Sequence, residues 1–301
     1  MSILSAHEEI LPPSDDYVFK AILTHSDAKP ALIDLISTVI KRTVIDVQIR
    51  NNELPSGDVD EKNERLDVNC VIDDGSQVNV EMQGSKIEGL DGGFDSFINK
   101  TVYYLTDLHS TQKSKGIRYA DFVRTYQITF NAHNVFKWPE YVTEASLRTQ
   151  NGTQISDQIN IIIIELNKLG DVLKKPVGKM TALEMWSAFL GHAADLEKRK
   201  LINEVLERKE AIGMAATVLA AISKDEHERA KFLSRRKFET DMTSNLLTVE
   251  ERGRRTGLEE GRRAGRLDGL METARNMKAE GMPIETVARL TKLSISEVEK
   301  L

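Results

Sequence analysis

Along the first 175 residues the hydrophobic positions change period several times, and each change marks an element. In SDDYVFKAILTH, residues 14–25, a Ser-Asp-Asp stretch leads into Val18, Phe19, Ile22 and Leu23 at helical spacing, a helix start signal. KPALIDLISTVIK, with proline near its beginning, predicts a second helix. RTVIDVQIRNN, residues 42–52, is β-branched and alternating, and predicts a strand. A polar stretch with Pro55 and Gly57 separates it from the next alternating segment, and GSKIEGLDGG, with four glycines, forms a further loop. FDSFINKTVYYLTDLHSTQ returns to helical spacing. FVRTYQITFN alternates like a strand, and INIIIIELNKL is a continuous apolar run that predicts a buried strand.

Between the two loops lies ERLDVNCVIDDGSQVNVEMQ, residues 64–83, with polar and apolar positions alternating on both sides of Asp73-Asp74-Gly75. A two-residue loop would set Val68 against Glu81 and mix polar with apolar side chains on each face. A three-residue loop sets Ile72 against Ser76, Asn69 against Asn79, Asp67 against Glu81 and Arg65 against Gln83. One face then gathers Leu66, Val68, Cys70, Ile72, Val78, Val80 and Met82. Burial selects the register that sorts the faces, because a slip of one residue exchanges them. A three-residue loop ending in left-handed glycine is also a common hairpin connection. Directly opposed residues carry Cβ atoms about 4.5–5.5 Å apart, so Asp67 and Glu81 repel unless a cation lies between them. Magnesium takes oxygen ligands and suits that need. The plain alternative is a half-exposed hairpin whose polar face meets water.

From about residue 178 the pattern becomes helical throughout, giving three regions: 1–175 mixed α/β, 176–244 helical, and a tail over 245–301. The tail carries glycine at 253, 257, 261, 265 and 269, interleaved with arginine and glutamate. Each glycine costs a helix about 0.5–1 kcal/mol relative to alanine, so this helix either finds a close partner or stays mobile, and a homo-oligomer is expected through the C-terminal helices. MPIETVARLTKLSISEVEKL predicts two short amphipathic helices, as a packing unit or as a helix-turn-helix reader of DNA.

The net charge of −6 with 29% charged residues argues against a surface basic all over, though not against a local basic groove. The single cysteine, Cys70, excludes an internal disulfide and a cysteine-built zinc site. No apolar run approaches the roughly twenty residues a membrane span needs, and the chain begins without a secretory signal. A cytoplasmic protein with no membrane association is expected.

Taken in order, DYVFKAIL at 16–23, RLDVNCVIDDGSQVNVEMQ at 65–83, FINKTVYYLTDLHSTQKSKGIRY at 97–119, IIIIELNKL at 161–169 and EGMPIETVARLTKLSISEVEKL at 280–301 resemble the PD-(D/E)XK nuclease superfamily. The narrower resemblance is to the Rpn family of recombination-promoting nucleases and putative transposases. It implies an α/β fold, a restriction-endonuclease-like mixed sheet flanked by helices, followed by an all-helical C-terminal region. The implied activity is a Mg2+-dependent endodeoxyribonuclease, with Mn2+ or Ca2+ as alternatives, linked to recombination, transposition or mobile-element defence. Asp67 and Glu81 would be metal ligands, and Gln83 would stand where many relatives carry lysine. Asp16 is either a third carboxylate or a helix N-cap. Lys100, Tyr103, Gln112, Lys113 and Lys115 are candidates for contacts to DNA, as are Tyr104 and Tyr119, although adjacent Tyr103 and Tyr104 diverge by about 100° on a helix, so one belongs to the core. Lys113 and Lys115 would alternatively complement the helix dipole. The competing expectation is a catalytically weak or inactive accessory protein that binds DNA.

Overall fold

The computed structural model describes residues 3–5, 7–50, 68–84, 93–112 and 118–301. It divides into two compact units, Met1–Ser234 and Arg235–Leu301.

In the first unit six strands form one mixed sheet: β1 (Val47–Ile49), β2 (Val68–Ile72), β3 (Gln77–Gln83), β4 (Thr125–Asn131), β5 (Val142–Arg148) and β6 (Gln154–Glu165), in the spatial order β1-β2-β3-β4-β6-β5. β3, β4 and β6 run parallel at the centre, and the outer pairs are antiparallel. Five helices contribute to the core on one face: α1 (Asp16–Leu23), α2 (Lys29–Ile40), α4 (Ala182–His192), α5 (Arg199–Arg208) and α6 (Glu210–Lys224). Their apolar stripes meet Val68, Cys70, Ile72, Val78, Val80, Met82, Ile128, Phe130, Ile162 and Ile164, all buried in one cluster. A single helix, α3 (Gly93–Ser110), packs against β3, β4 and β6 on the opposite face, where Phe97 meets Ile163.

The hairpin register is the one that sorts the faces. Val68 pairs with Val80, Asn69 with Asn79 and Cys70 with Val78. The Gly75 N–H donates to the Ile72 carbonyl, and Gly75 sits at φ +85°, a backbone region that glycine enters without a Cβ penalty. Asp74 accepts from the Ser76 N–H and from Arg42, and Asp73 accepts from the Ile45 N–H. Both loop carboxylates therefore tie the hairpin to the segment before β1. That segment also explains why β1 covers only part of the alternating run at 42–52. The Arg42 and Val44 N–H groups bond to Ser37 and that of Ile45 to Asp73, which leaves them outside the strand ladder.

Strand β5 is absent from the sequence reading because none of its residues is buried; an edge strand carries little burial alternation. The continuous helical pattern at 198–223 breaks at Lys209, which adopts an extended backbone. Its ammonium bonds to Asp34, which also accepts from the Trp186 indole, so a tertiary contact overrides a propensity that runs unbroken.

Helix α7 (Glu226–Ala279) is one 54-residue helix that spans the boundary between the units. From Leu233 to Gly269 every described side chain on it is exposed. At its C-terminal end α8 (Ile284–Thr291) and α9 (Ile295–Lys300) close a small core of Ala274, Val287, Ala288, Leu293 and Val298. Lys278 donates to the carbonyls of Val298 and Glu299. Helical packing is thus how the terminal segment buries its apolar positions.

Candidate active site

Alternation in β3 and β4 leaves eight polar residues on the sheet face beneath α3. They are Gln77, Asn79, Glu81 and Gln83 from β3, and Thr125, Gln127, Thr129 and Asn131 from β4, paired in parallel register. A half-exposed hairpin would wet this face, but here it is buried: Asn79, Thr125, Gln127 and Asn131 are each 0% exposed, Thr129 2% and Glu81 8%. Burying a carboxylate and a row of amides costs free energy unless each finds a partner, so the arrangement needs an explanation that a solvated sheet would not.

Most of the partners are internal. The Asn79 amide N–H2 donates to Glu81 Oε1 at 2.9 Å and to Gln127 Oε1 at 2.9 Å, and Gln127 Nε2 reaches Thr129 Oγ1 at 3.4 Å. Some polar atoms remain without one. Among the described residues, Asn79 Oδ1 and both amide atoms of Asn131 have no hydrogen-bond partner. Asn131 lies beside Gln83 in the register, at the C-terminal end of the parallel strands. In open α/β sheets that end is where ligands bind.

Asp16 comes to the same end. The N-cap of α1 is Asp15, whose carboxylate accepts from the Tyr17 and Val18 N–H groups. That releases Asp16 from the capping role, and its Oδ1 accepts from the Gly84 N–H at 2.8 Å. His133 donates from Nε2 to the Gly84 carbonyl at 2.9 Å, so Gly84 is held at both its N–H and its carbonyl. Gly84 is required there, because a Cβ would lie 2.7 Å from the Ser14 carbonyl oxygen and 2.9 Å from Asp16 Oδ1. Scattered histidines carry little signal in a sequence, and only the chain path brings His133 here. Gly84 is three residues from Glu81, about 10 Å along the strand.

The other candidates separate. Tyr104 is buried and Tyr103 is 53% exposed, as their angular divergence requires; the Lys100 ammonium lies 5.1 Å from the Tyr104 ring centre. Lys100 itself is exposed. Gln112 is at the opposite end of the strands. Its amide accepts from the Val123 N–H and donates to the Val123 carbonyl and to Thr125 Oγ1. Thr125 is four residues before Thr129, the register partner of Glu81, which is about 13 Å. His109 also meets Thr125, at 2.8 Å. Tyr119 is exposed and packs edge-on to Phe122. Asp67, Lys113 and Lys115 lie outside the described residues. Cys70 is on the apolar face, where burial pushes its thiol up to about 12, so it is inert at neutral pH.

Glu165, the register partner of Asn131 on β6, is fully buried and serves the frame. Its carboxylate accepts from the Val135 and Phe136 N–H groups and from Lys168, which fastens the loop after β4.

Among the described residues no three His, Cys, Asp or Glu side chains form a group that could hold a metal ion. Glu81 and Asp16 carry carboxylates near this end of the sheet, and among the described residues the amides of Asn79 and Asn131 retain unmet hydrogen-bonding capacity. Oxygen donors of this kind suit a hard divalent cation, which takes oxygen ligands and keeps bound water.

No helix among the described residues is long and apolar enough to cross a membrane. No curated protein and no solved structure matches the chain. The model of the family described as PD-(D/E)XK nuclease family transposase matches residues 13–248. That span takes in the whole sheet, both carboxylates beside Gly84 and Asn79, and the helices that pack on either face. The mixed sheet, the buried acidic strand end and this match together place the chain in the PD-(D/E)XK nuclease family of transposases.

Proposed function

We propose that the protein is a divalent-metal-dependent DNA endonuclease that hydrolyses phosphodiester bonds in recombination, transposition or defence against mobile elements. The observation that carries this reading is the carboxylate of Glu81, 8% exposed within a buried polar face and held through one oxygen by Asn79. The register of β2 on β3, continued by one residue of the alternating sequence, supports setting Asp67 opposite Glu81. In that role the two carboxylates bind Mg2+, with Mn2+ or Ca2+ as substitutes, and Asp16 completes the acidic set. The ion, when bound, acidifies a water and polarises the scissile phosphate. Gln83 orients that water or a phosphate oxygen through its amide, without a lysine's charge. Lys100, Tyr103, Lys113 and Lys115 contribute contacts to the DNA backbone. Gln112 is set apart from these contacts, since its amide is engaged with Val123.

The test is plasmid nicking by the purified full chain with and without Mg2+. Cleavage is expected only with the ion, and Glu81→Ala and Asp67→Ala are expected to abolish it while leaving the melting transition intact. Undiminished cleavage by both variants would end the proposal. The second reading, a DNA-binding accessory protein with weak or no catalysis, is favoured by the uncharged Gln83. It predicts salt-dependent DNA binding without product under any divalent ion.

Self-association through α7 belongs to the same proposal. Its support is the run of exposed side chains from Leu233 to Gly269, with Phe238, Met242, Leu247, Val249 and Leu258 among them. Helices draw most of their stability from packing an apolar face. Sedimentation of the full chain against a chain ending near residue 245 measures it; equal association states would remove it.

A further inference from the structure

We infer that Asn79 is a positioning residue for the acidic site, an inference that rests on the reading of Glu81 as a metal ligand. Three features of its environment carry it. Asn79 is fully buried, two residues before Glu81 on the same strand and on the same face. Its amide nitrogen is 2.9 Å from Glu81 Oε1 and 2.9 Å from Gln127 Oε1. Two acceptor oxygens at that distance demand the N–H2 group between them, since an amide oxygen in its place would meet only lone pairs. The orientation is therefore fixed by chemistry, and Gln127 is itself oriented by donating to Thr129.

A glutamate has three rotatable bonds, and a carboxylate that must present one oxygen to a cation has many rotamers in which it does not. The bond from Asn79 occupies one oxygen and removes most of that freedom. Gln127 supplies the anchor. Without it, the Asn79 amide would be free to turn. The chain Thr129–Gln127–Asn79–Glu81 thus runs across two parallel strands and ends on the acidic group. Among the described residues the remaining oxygen of the fully buried Asn79 has no partner, which leaves it able to accept from a water held beside the carboxylate.

The measurement is titration of the full chain with Mn2+ and with Ca2+ by calorimetry, without DNA, beside thermal melts of each variant. Asn79→Ala removes the donor. Asn79→Val does so with a residue of higher strand propensity, and carries the measurement if the alanine variant does not fold. Thr125→Val is the comparison, because it breaks part-buried hydrogen bonds at the far end of β4 without touching Glu81. Both Asn79 variants are expected to weaken ion binding by about tenfold or more, the range seen when a ligand loses its supporting hydrogen bond, with Thr125→Val within about threefold of the parent. Ion binding unchanged in both Asn79 variants but lost in Glu81→Ala overturns the inference and leaves the site standing. Equal weakening by Thr125→Val also overturns it, since the effect would then be general packing. Unchanged binding in Glu81→Ala as well overturns the reading of the site itself.

Discussion

The carboxylate of Asp16 accepts a hydrogen bond from the Gly84 N–H at 2.8 Å, so the first turn of α1 closes on the end of β3. The contact works only because residue 84 lacks a side chain. Gly84→Ala would press a Cβ against the Ser14 carbonyl oxygen, and backbone cannot yield as a flexible side chain can. It should cost about 1–3 kcal/mol, the usual range for overpacking, read as a lower denaturation midpoint. Asp16→Asn retains an acceptor for Gly84 but loses the charge. Unchanged stability with weaker ion binding is expected; unchanged ion binding would remove Asp16 from the metal set.

Gln112 and Lys100 should behave oppositely. Gln112→Ala strands the Val123 N–H and carbonyl and should cost about 1–3 kcal/mol of stability, with DNA affinity unaltered once the fold is saved by lower temperature. Lys100 is exposed. Lys100→Ala should leave the melt unchanged and reduce the slope of log affinity against log salt by about 0.9. An unaltered slope would take Lys100 off the DNA path.

His109 gives a pH dependence with a definite sign. Burial against Thr125 and Phe122 lowers its pKa from 6.5, so the unfolded chain binds a proton more readily than the folded one. Stability therefore rises with pH where the two states differ in protonation. The contribution is complete above about 6.5 and is lost as pH falls below that value toward the folded one. His192, whose pKa burial also lowers, acts in the same direction. The melting temperature should fall from pH 7.5 to 5.5, and His109→Gln should lessen that fall. An identical fall in parent and variant would exclude His109 as a source.

The glycines of α7 offer a separation of intramolecular from intermolecular effects. A Cβ at Gly253, Gly257 or Gly261 meets nothing within 4 Å, so alanine there should raise helix content, by about 0.5–1 kcal/mol per site. If the missing side chains serve close approach of a second helix, the same substitutions weaken self-association. Greater helicity by circular dichroism together with lower association in sedimentation is the expected pair. Stronger or equal association would detach the glycines from any interface.

Local pattern alone was sufficient for several parts of this protein. The three-residue turn follows from Asp73-Asp74-Gly75, and the sorted faces follow from alternation, because side-chain period and turn chemistry are both properties of a few adjacent residues. The helices α1, α2 and α3, the strand β6 with its buried C-terminal end and the paired terminal helices were legible for the same reason. Other features depend on what folding brings near. Sequence could not say that the polar face of β3 would be covered, since that is decided by where α3 lands. Nor could it say that Asp15 rather than Asp16 would cap α1, that His133 would meet Gly84, or that Asn79 would hold Glu81 against Gln127. The contacts of Gly84 with His133 and of Asn79 with Gln127 join residues 49 and 48 positions apart, and they exist because β3 and β4 lie side by side in parallel, a pairing that spacing along the chain does not record.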